Sequence, residues 1–253
     1  MRSASTEIEI VEDLSAVSRK AAQIIVGRIA EALSHKPYFS IALSGGSTPK
    51  TLFRLLVDDE TFRARIPWNK IHFFWGDERH VPPDHPESNY RMARETMLSR
   101  VPVPDVNIHR VRSEAPDAGK AAADYEQELR AFFKLESGQL PCLDCVLLGM
   151  GPDGHTASLF AGTAALRETR RLVVASYVEK FRSHRITMTA SVFNHAEMII
   201  FMVGGKEKAE VLQAVLEGKP QPDLYPAQLI RPANGKLLWL VERSAATLLS
   251  KAD

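Results

Sequence analysis

The sequence predicts an α/β protein with a doubly wound, mostly parallel sheet and helices on both of its faces. Short apolar strands alternate along the chain with segments of amphipathic helical spacing. The run at residues 143–148 is almost continuously apolar, which is typical of a parallel strand buried on both faces. The length of 253 residues suits a sizeable core, and we expect residues 1–253 to form a single domain.

The first elements follow directly from this pattern. Residues 12–36 carry apolar side chains at helical spacing and predict a helix, and residues 39–43 predict a short strand. Thr48 and Pro49 are typical of the N-cap and the first residue of a helix. We therefore expect a second helix to begin at these residues and to continue through residues 51–57.

The remaining elements continue the alternation. Three prolines among residues 81–87 indicate a loop, and Ser88 is a suitable cap for the helix that follows. Helices are expected at residues 89–99, 118–134 and 206–217, and strands at residues 71–75, 143–148, 172–175, 185–189, 198–203 and 237–241.

The composition excludes several classes of protein. Lys and Arg number 32 against 31 Asp and Glu, a net charge of +1, which argues against a nucleic-acid partner. No apolar stretch approaches the roughly 20 residues that span a membrane, and residues 1–13 do not resemble a signal peptide. Two cysteines cannot form a disulfide framework. We therefore expect a cytoplasmic enzyme with no membrane contact and no obligate protein partner.

Two predicted strand ends carry groups suited to an anionic ligand, and ligands of doubly wound sheets bind at such ends. The turn at residues 44–48 combines glycines and hydroxyls before a helix N-terminus, which favours phosphate binding; a plain turn is the alternative. Asp77 and Glu78 follow the strand at residues 71–75. Because adjacent strand residues face opposite sides, we expect Asp77 alone to face the cleft; a solvent-exposed turn is the alternative.

The third strand end, at residues 149–155, is the most informative. Its glycines allow close approach of the backbone to a ligand, and His155 follows them. We expect His155 to begin a helix, whose dipole would favour a neutral imidazole suited to general base catalysis. Asp153 lies two residues away and can orient the ring. A structural histidine is the alternative.

Two further cations are candidates for anion binding. Arg185 lies in a predicted strand, and Lys208 lies in the first turn of a predicted helix, where the dipole disfavours a cation. A bound anion would account for that position, and a solvated lysine is the alternative.

No metal site is expected. Cys142 and Cys145 form a C-x-x-C pair, but they open a predicted strand on opposite faces, and no second pair completes a zinc site. His72, His80 and His85 match no metal-binding spacing.

Taken in order, these motifs resemble the glucosamine-6-phosphate isomerase/6-phosphogluconolactonase family. The resemblance runs from about residue 40 to the C-terminus, and the segment 151–160, Gly-Pro-Asp-Gly-His-Thr-Ala-Ser-Leu-Phe, is its most specific part. The other matching segments are Ser-Gly-Gly-Ser-Thr-Pro (44–49), Trp-Gly-Asp-Glu-Arg (75–79), Pro-Glu-Ser-Asn-Tyr (86–90), Arg-Ile-Thr (185–187) and Gly-Lys-Glu-Lys-Ala (205–209).

The resemblance implies a modified Rossmann-like fold, as in glucosamine-6-phosphate deaminase relatives. It implies hydrolysis of 6-phospho-D-glucono-1,5-lactone to 6-phospho-D-gluconate in the oxidative pentose phosphate pathway, with no metal or organic cofactor and a small phosphorylated sugar lactone as the only partner. It makes His155 the catalytic base and Asp77 a second active-site residue. The phosphate site that it implies comprises Gly45, Gly46, Ser47, Thr48, Arg185 and Lys208 with Arg79 as a helper, and Gly151, Asp153 and Gly154 form the supporting loop.

The chain departs from the family pattern at several positions, and one of these bears on which reaction it catalyses. The deaminase branch carries a glutamate for proton transfer five residues after the motif histidine, where this chain has Phe160. Ala161 replaces a frequent proline, and residues 180–184 replace a proline-rich segment. A deaminase or isomerase on the same fold, and a non-catalytic sugar-phosphate sensor, are the rival functions. Ser158 is an alternative nucleophile, although the Gly-x-Ser-x-Gly elbow is absent.

Overall fold

The computed structural model describes residues 6–250. Strands and helices alternate along most of the chain, as the sequence predicts. The strands are β1 (Thr6–Val11), β2 (Phe39–Leu43), β3 (Ile71–Trp75), β4 (Asp77–Arg79), β5 (Cys145–Leu148), β6 (Val173–Val178), β7 (Ser183–Met188), β8 (Met198–Val203) and β9 (Lys236–Glu242). The helices are α1 (Leu14–Leu33), α2 (Ser47–Asp58), α3 (Glu60–Arg63), α4 (Asn89–Thr96), α5 (Ala118–Phe133), α6 (Ala190–Phe193) and α7 (Ala209–Leu216).

The principal sheet confirms the predicted α/β class. It has six strands in the order β1-β9-β8-β5-β2-β3, and every neighbouring pair is parallel. Strands β2, β5 and β8 are buried at every residue. Because both faces of these central strands are covered, their sequences are nearly continuous apolar runs.

A second sheet lies beside the first and was not predicted as a separate unit. It has three antiparallel strands in the order β4-β7-β6. The short turn between β6 and β7 explains this arrangement, because a parallel pair needs a crossover of a dozen or more residues. In this sheet Arg79 lies opposite Arg185, so the sheet brings two predicted site residues together.

Several element boundaries differ from the expectations. Strand β1 was not predicted, because its residues are largely exposed at the edge of the sheet. Helix α2 begins at Ser47 with Gly46 as its N-cap, so the prediction of Thr48 as the cap is wrong. The physical reason is the φ of 106° at Gly46, which turns the chain into the helix earlier than predicted. Ser88 caps α4 as expected, and its hydroxyl accepts from the backbone N–H of Arg91.

Candidate active site

A polar cleft of about 220 Å³ opens where the carboxyl ends of β2, β3 and β5 meet. Its walls come from the loop and helix start at residues 44–49, from Asp77 and Arg79 of β4, from the loop that follows β5, and from Lys208. The position agrees with the rule that ligands of parallel α/β sheets bind outside the strand ends. Most of the predicted site residues therefore converge on one cleft.

The loop after β2 presents the N-terminus of α2 to this cleft. No side chain caps the helix, so its first N–H groups and the positive end of its dipole are available to an anion. Gly45 is required by a close contact, because a Cβ there would lie 1.9 Å from Oδ1 of Asn89. Gly46, Ser47 and Thr48 complete this wall of the cleft.

The two acids of β4 have different surroundings. Asp77 lines the cleft, whereas the buried Glu78 carboxylate accepts from the backbone N–H groups of Arg79, Asn89 and Tyr90 at 2.8, 2.7 and 2.8 Å. Burial raises the pKa of Glu78 above its ordinary value, and these hydrogen bonds oppose that rise. The alternative of a solvent-exposed turn is wrong, because both acids are buried.

His155 also lines the cleft, and it lies in a loop rather than at the start of a helix. The expectation of a helix is wrong because Ala157 adopts a left-handed φ of 47°. The loop closes on itself instead: the N–H of Gly151 donates to the carbonyl of His155 at 2.9 Å, and the N–H of Gly154 donates to Gly151 at 3.0 Å. His155 therefore lies at the N-terminus of no helix of its own.

The side chain of His155 is held on two sides. Its Nδ1 pairs with Oδ1 of Asp153, and its ring stacks on Phe160 with centroids 4.1 Å apart. Hydrogen bonding to His155 is the largest cause that holds the pKa of Asp153 well below its usual range. Within residues 6–250 Nε2 of His155 has no hydrogen-bond partner, so it is the nitrogen left for a ligand in the cleft.

Glycines shape this loop at two positions. A Cβ at Gly151 would lie 2.0 Å from Cε1 of His155, so the ring occupies space that only glycine leaves open. Gly154 has a φ of 76°, and a Cβ there would lie 2.9 Å from the ring of Tyr225. Both glycines therefore set the path of the loop.

Asp77 connects β4 to the same loop. Its Oδ2 accepts from Oγ of Ser158 at 2.6 Å, and its carbonyl accepts from Nδ2 of Asn89 at 3.0 Å. Ser158 is buried and does not line the cleft, so its hydroxyl faces Asp77 rather than a ligand.

The three predicted cations occupy different positions. Arg79 and Lys208 line the cleft, whereas Arg185 is buried beside Arg79 and outside the lining. Burial, and then the charge of Arg79, lower the pKa of Arg185 from its ordinary value. Burial likewise lowers the pKa of Lys208, which is the N-cap of α7. Such positions disfavour cations unless an anion is bound nearby.

Two further residues of this region were not predicted from the sequence. Asn89 lines the cleft, and its position directly after the capping Ser88 was the available signal. Lys180 contacts Asp153, with Nζ 3.1 Å from Oδ2, and no local motif indicated it.

Three further observations concern metal binding, the cysteines and membrane insertion. No group of three or more His, Cys, Asp or Glu side chains in this range is arranged to hold a metal ion. Of the C-x-x-C pair, Cys142 is exposed and Cys145 is buried. No helix in the same range is long and apolar enough to cross a membrane.

Fold and cleft together define an α/β enzyme with an anion-binding region beside a histidine. The family described as glucosamine-6-phosphate isomerases/6-phosphogluconolactonase matches residues 12–239, and the chain belongs to this family. It is 40% identical over 239 residues to a 6-phosphogluconolactonase of Synechocystis. The matched region covers 94% of this chain and 96% of that protein.

Solved structures agree with this assignment. A 6-phosphogluconolactonase from Trypanosoma cruzi superposes on this chain with a TM-score of 0.85 at 31% identity. The superposition covers 98% of each chain. A monomeric glucosamine-6-phosphate deaminase superposes with a TM-score of 0.80 over 96% of this chain and 99% of that one, and at 22% identity it shows the shared fold alone.

Proposed function

We propose that this chain hydrolyses 6-phospho-D-glucono-1,5-lactone to 6-phospho-D-gluconate in the oxidative pentose phosphate pathway. The observation that carries the proposal is the presence of His155 and of the anion-binding groups in one cleft of a chain from this family. The proposal places the enzyme in the cytoplasm, gives it no metal or cofactor, and treats residues 1–253 as one domain.

The phosphate of the substrate binds at the start of α2. Ser47 and Thr48 line the cleft together with Lys208 and Arg79, and no side chain caps the first N–H groups of α2, so these groups are available to the phosphate. Arg185 adds positive charge from beside Arg79. These contacts are remote from the reacting carbon, so they contribute binding energy and hold C1 near the base.

The reaction takes place at His155. Its Nδ1 is held by Asp153, and Nε2 accepts a proton from water as the water oxygen forms a bond to C1. The resulting tetrahedral oxyanion is stabilised by hydrogen-bond donors of the cleft other than those that hold the phosphate. As it collapses, the bond from C1 to the ring oxygen breaks and His155 returns the proton to that oxygen. The step consumes one water and needs no covalent enzyme intermediate.

Asp77 serves this reaction by holding the catalytic loop. Its carboxylate fixes Ser158, three residues after His155, and it forms a polar wall of the cleft. The buried Ser158 hydroxyl already donates to Asp77, which favours water over Ser158 as the nucleophile.

Phe160 favours the lactonase over the deaminase reaction. It occupies the position at which the deaminase branch carries its proton-transferring glutamate, and its ring stacks on His155. Lactone hydrolysis needs no second acid/base group at this position, whereas opening of an amino sugar ring does.

A coupled assay tests the proposed function. Glucose 6-phosphate and its dehydrogenase generate the lactone, and its loss is followed with and without this protein, with spontaneous hydrolysis subtracted. We expect faster loss of the lactone and no ammonia release from glucosamine 6-phosphate. Lactone loss at the spontaneous rate would refute the proposal, and ammonia release would instead support the deaminase.

A further inference from the structure

The hairpin between β6 and β7 (residues 179–182) reaches the candidate base from outside the cleft. We infer that Lys180 on this hairpin is a positioning residue that acts through Asp153 to orient His155 and to oppose its protonation. The inference rests on the proposed function, because it assigns Lys180 a part in the same reaction.

One carboxylate connects the lysine to the histidine. Oδ2 of Asp153 lies 3.1 Å from Nζ of Lys180, and Oδ1 of the same carboxylate pairs with Nδ1 of His155. Lys180 does not line the cleft. Its effect on the reaction therefore passes through Asp153 rather than through contact with the substrate.

The same hairpin supports the other side of the imidazole. The ring of Phe181 packs edge-on against Phe160 with centroids 5.6 Å apart, and Phe160 stacks on His155. Arg182 turns the hairpin with a left-handed φ of 47°. The hairpin thus contacts both supports of the base, the carboxylate and the aromatic ring.

The charge of Lys180 has a definite direction of effect. An ammonium group on the shared carboxylate competes with an imidazolium for its negative charge and disfavours protonation of His155. The sequence predicts a helix dipole at this position, but no helix begins at His155. Lys180 supplies positive charge where that dipole was expected.

Other charged groups lie in or beside the cleft and have to stay constant in any test. They are Asp153 on the loop of His155, Asp77 and Arg79 on β4, Lys208 at the start of α7, and Arg185 on β7 beneath Phe181. The substitutions that test the inference leave all of them intact.

The test compares Lys180→Met with Lys180→Arg by NMR titration of the His155 ring and by the pH dependence of lactone hydrolysis. The matched control is Lys120→Met, which removes an exposed lysine paired with Asp124 on α5. For Lys180→Met we expect the midpoint of the His155 NMR titration to move to higher pH by roughly half a unit, which is the size expected for the loss of one partly exposed charge. The acid limb of the kcat/KM profile should move by the same amount. Lys180→Arg and Lys120→Met should keep the wild-type midpoint.

The outcomes separate this inference from the proposed function. An unchanged midpoint in Lys180→Met would overturn the inference, as would a raised KM without a shift, because the lysine would then act on the substrate. An inactive wild-type protein would refute the proposed function, while the NMR titration would still report on the lysine. Salt near 1 M should shrink the shift, because it screens exposed charges.

Discussion

Two histidine–carboxylate pairs of this molecule differ in what surrounds them. His155 pairs with Asp153 at the edge of a polar cleft. His109 is buried, with Nδ1 2.9 Å from Oε1 of Glu128 and Nε2 2.9 Å from Nδ1 of His72. Both nitrogens of His109 are occupied, whereas Nε2 of His155 has no hydrogen-bond partner within the described residues 6–250.

The two histidines also differ in how many aromatic rings surround them. His109 stacks on Phe74 with centroids 4.4 Å apart, in a cluster with Phe132. His155 stacks on one ring and keeps its other side toward the cleft. A histidine beside a carboxylate is therefore suited to base catalysis only when one of its nitrogens is open to a bound ligand. The pair of His109 and Glu128 is instead suited to stabilising the fold beside β3.

Substitution of the two histidines tests this contrast most strongly. His155→Asn should lower kcat for lactone hydrolysis by about 10²- to 10⁴-fold, because the general base is lost. His109→Asn should leave kcat of the folded protein within about twofold and lower the denaturation midpoint, because it breaks a buried hydrogen-bond network. Equal losses of kcat in both variants would contradict the assignment of a catalytic role to His155 and a structural role to His109. Steady-state kinetics and urea unfolding supply both quantities.

A smaller effect is expected when the ring of His155 is displaced rather than removed. Gly151→Ala places a methyl group in the space of the imidazole and should lower kcat/KM by about 10²-fold, since the reaction needs close alignment. Gly27→Ala is the matched control, because it lies within α1 with nothing within 4 Å of the added methyl group. It should keep full activity and raise Tm slightly. Full activity in Gly151→Ala would contradict the positioning of the ring by this loop.

The anion-binding wall should affect binding more than chemistry. Lys208→Ala should raise KM about 10- to 100-fold with a smaller change in kcat, because a charged hydrogen bond to the phosphate is lost. Lys206→Ala, two residues away, exposed and outside the cleft, is the control and should keep the wild-type KM. A loss confined to kcat would assign Lys208 to the reacting end of the substrate. The same kinetics on both variants decide between these outcomes.

His72, the neighbour of His109, should affect the pH dependence of stability. Burial, followed by the charge of His109, lowers the pKa of His72 from 6.5 to about 4. The folded state therefore binds fewer protons than the unfolded state between these values, and the contribution of His72 is full above pH 6.5 and falls as the pH drops toward 4. His72→Gln should flatten the fall in unfolding free energy across this window, measured by urea titration. The same slope in both proteins would contradict a His72 whose pKa is lowered in the folded state.

Much of the site was predictable because it depends on sheet topology. The apolar runs located β2, β3 and β5, and the strand-end rule then brought Asp77 and His155 to one cleft. The antiparallel sheet was also readable in principle, because residues 175 and 185 are too close in sequence for a parallel crossover.

The remaining features depend on contacts that sequence spacing does not encode. Strand β1 is a largely exposed edge strand without a strong apolar pattern. The left-handed φ of Ala157 breaks the expected helix at a residue that favours helices. Lys180 contacts Asp153 across 27 positions of the sequence, and only the folded structure reveals this contact.

The most direct test of the account is a crystal structure of this protein with bound 6-phospho-D-gluconate. We predict that the phosphate lies against the N–H groups of Ser47 and Thr48 and against Lys208. The C1 carboxylate should lie within about 3 Å of Nε2 of His155, the distance at which a general base acts. A product bound in the reverse orientation, or bound away from His155, would contradict the central claim that this histidine activates the attacking water.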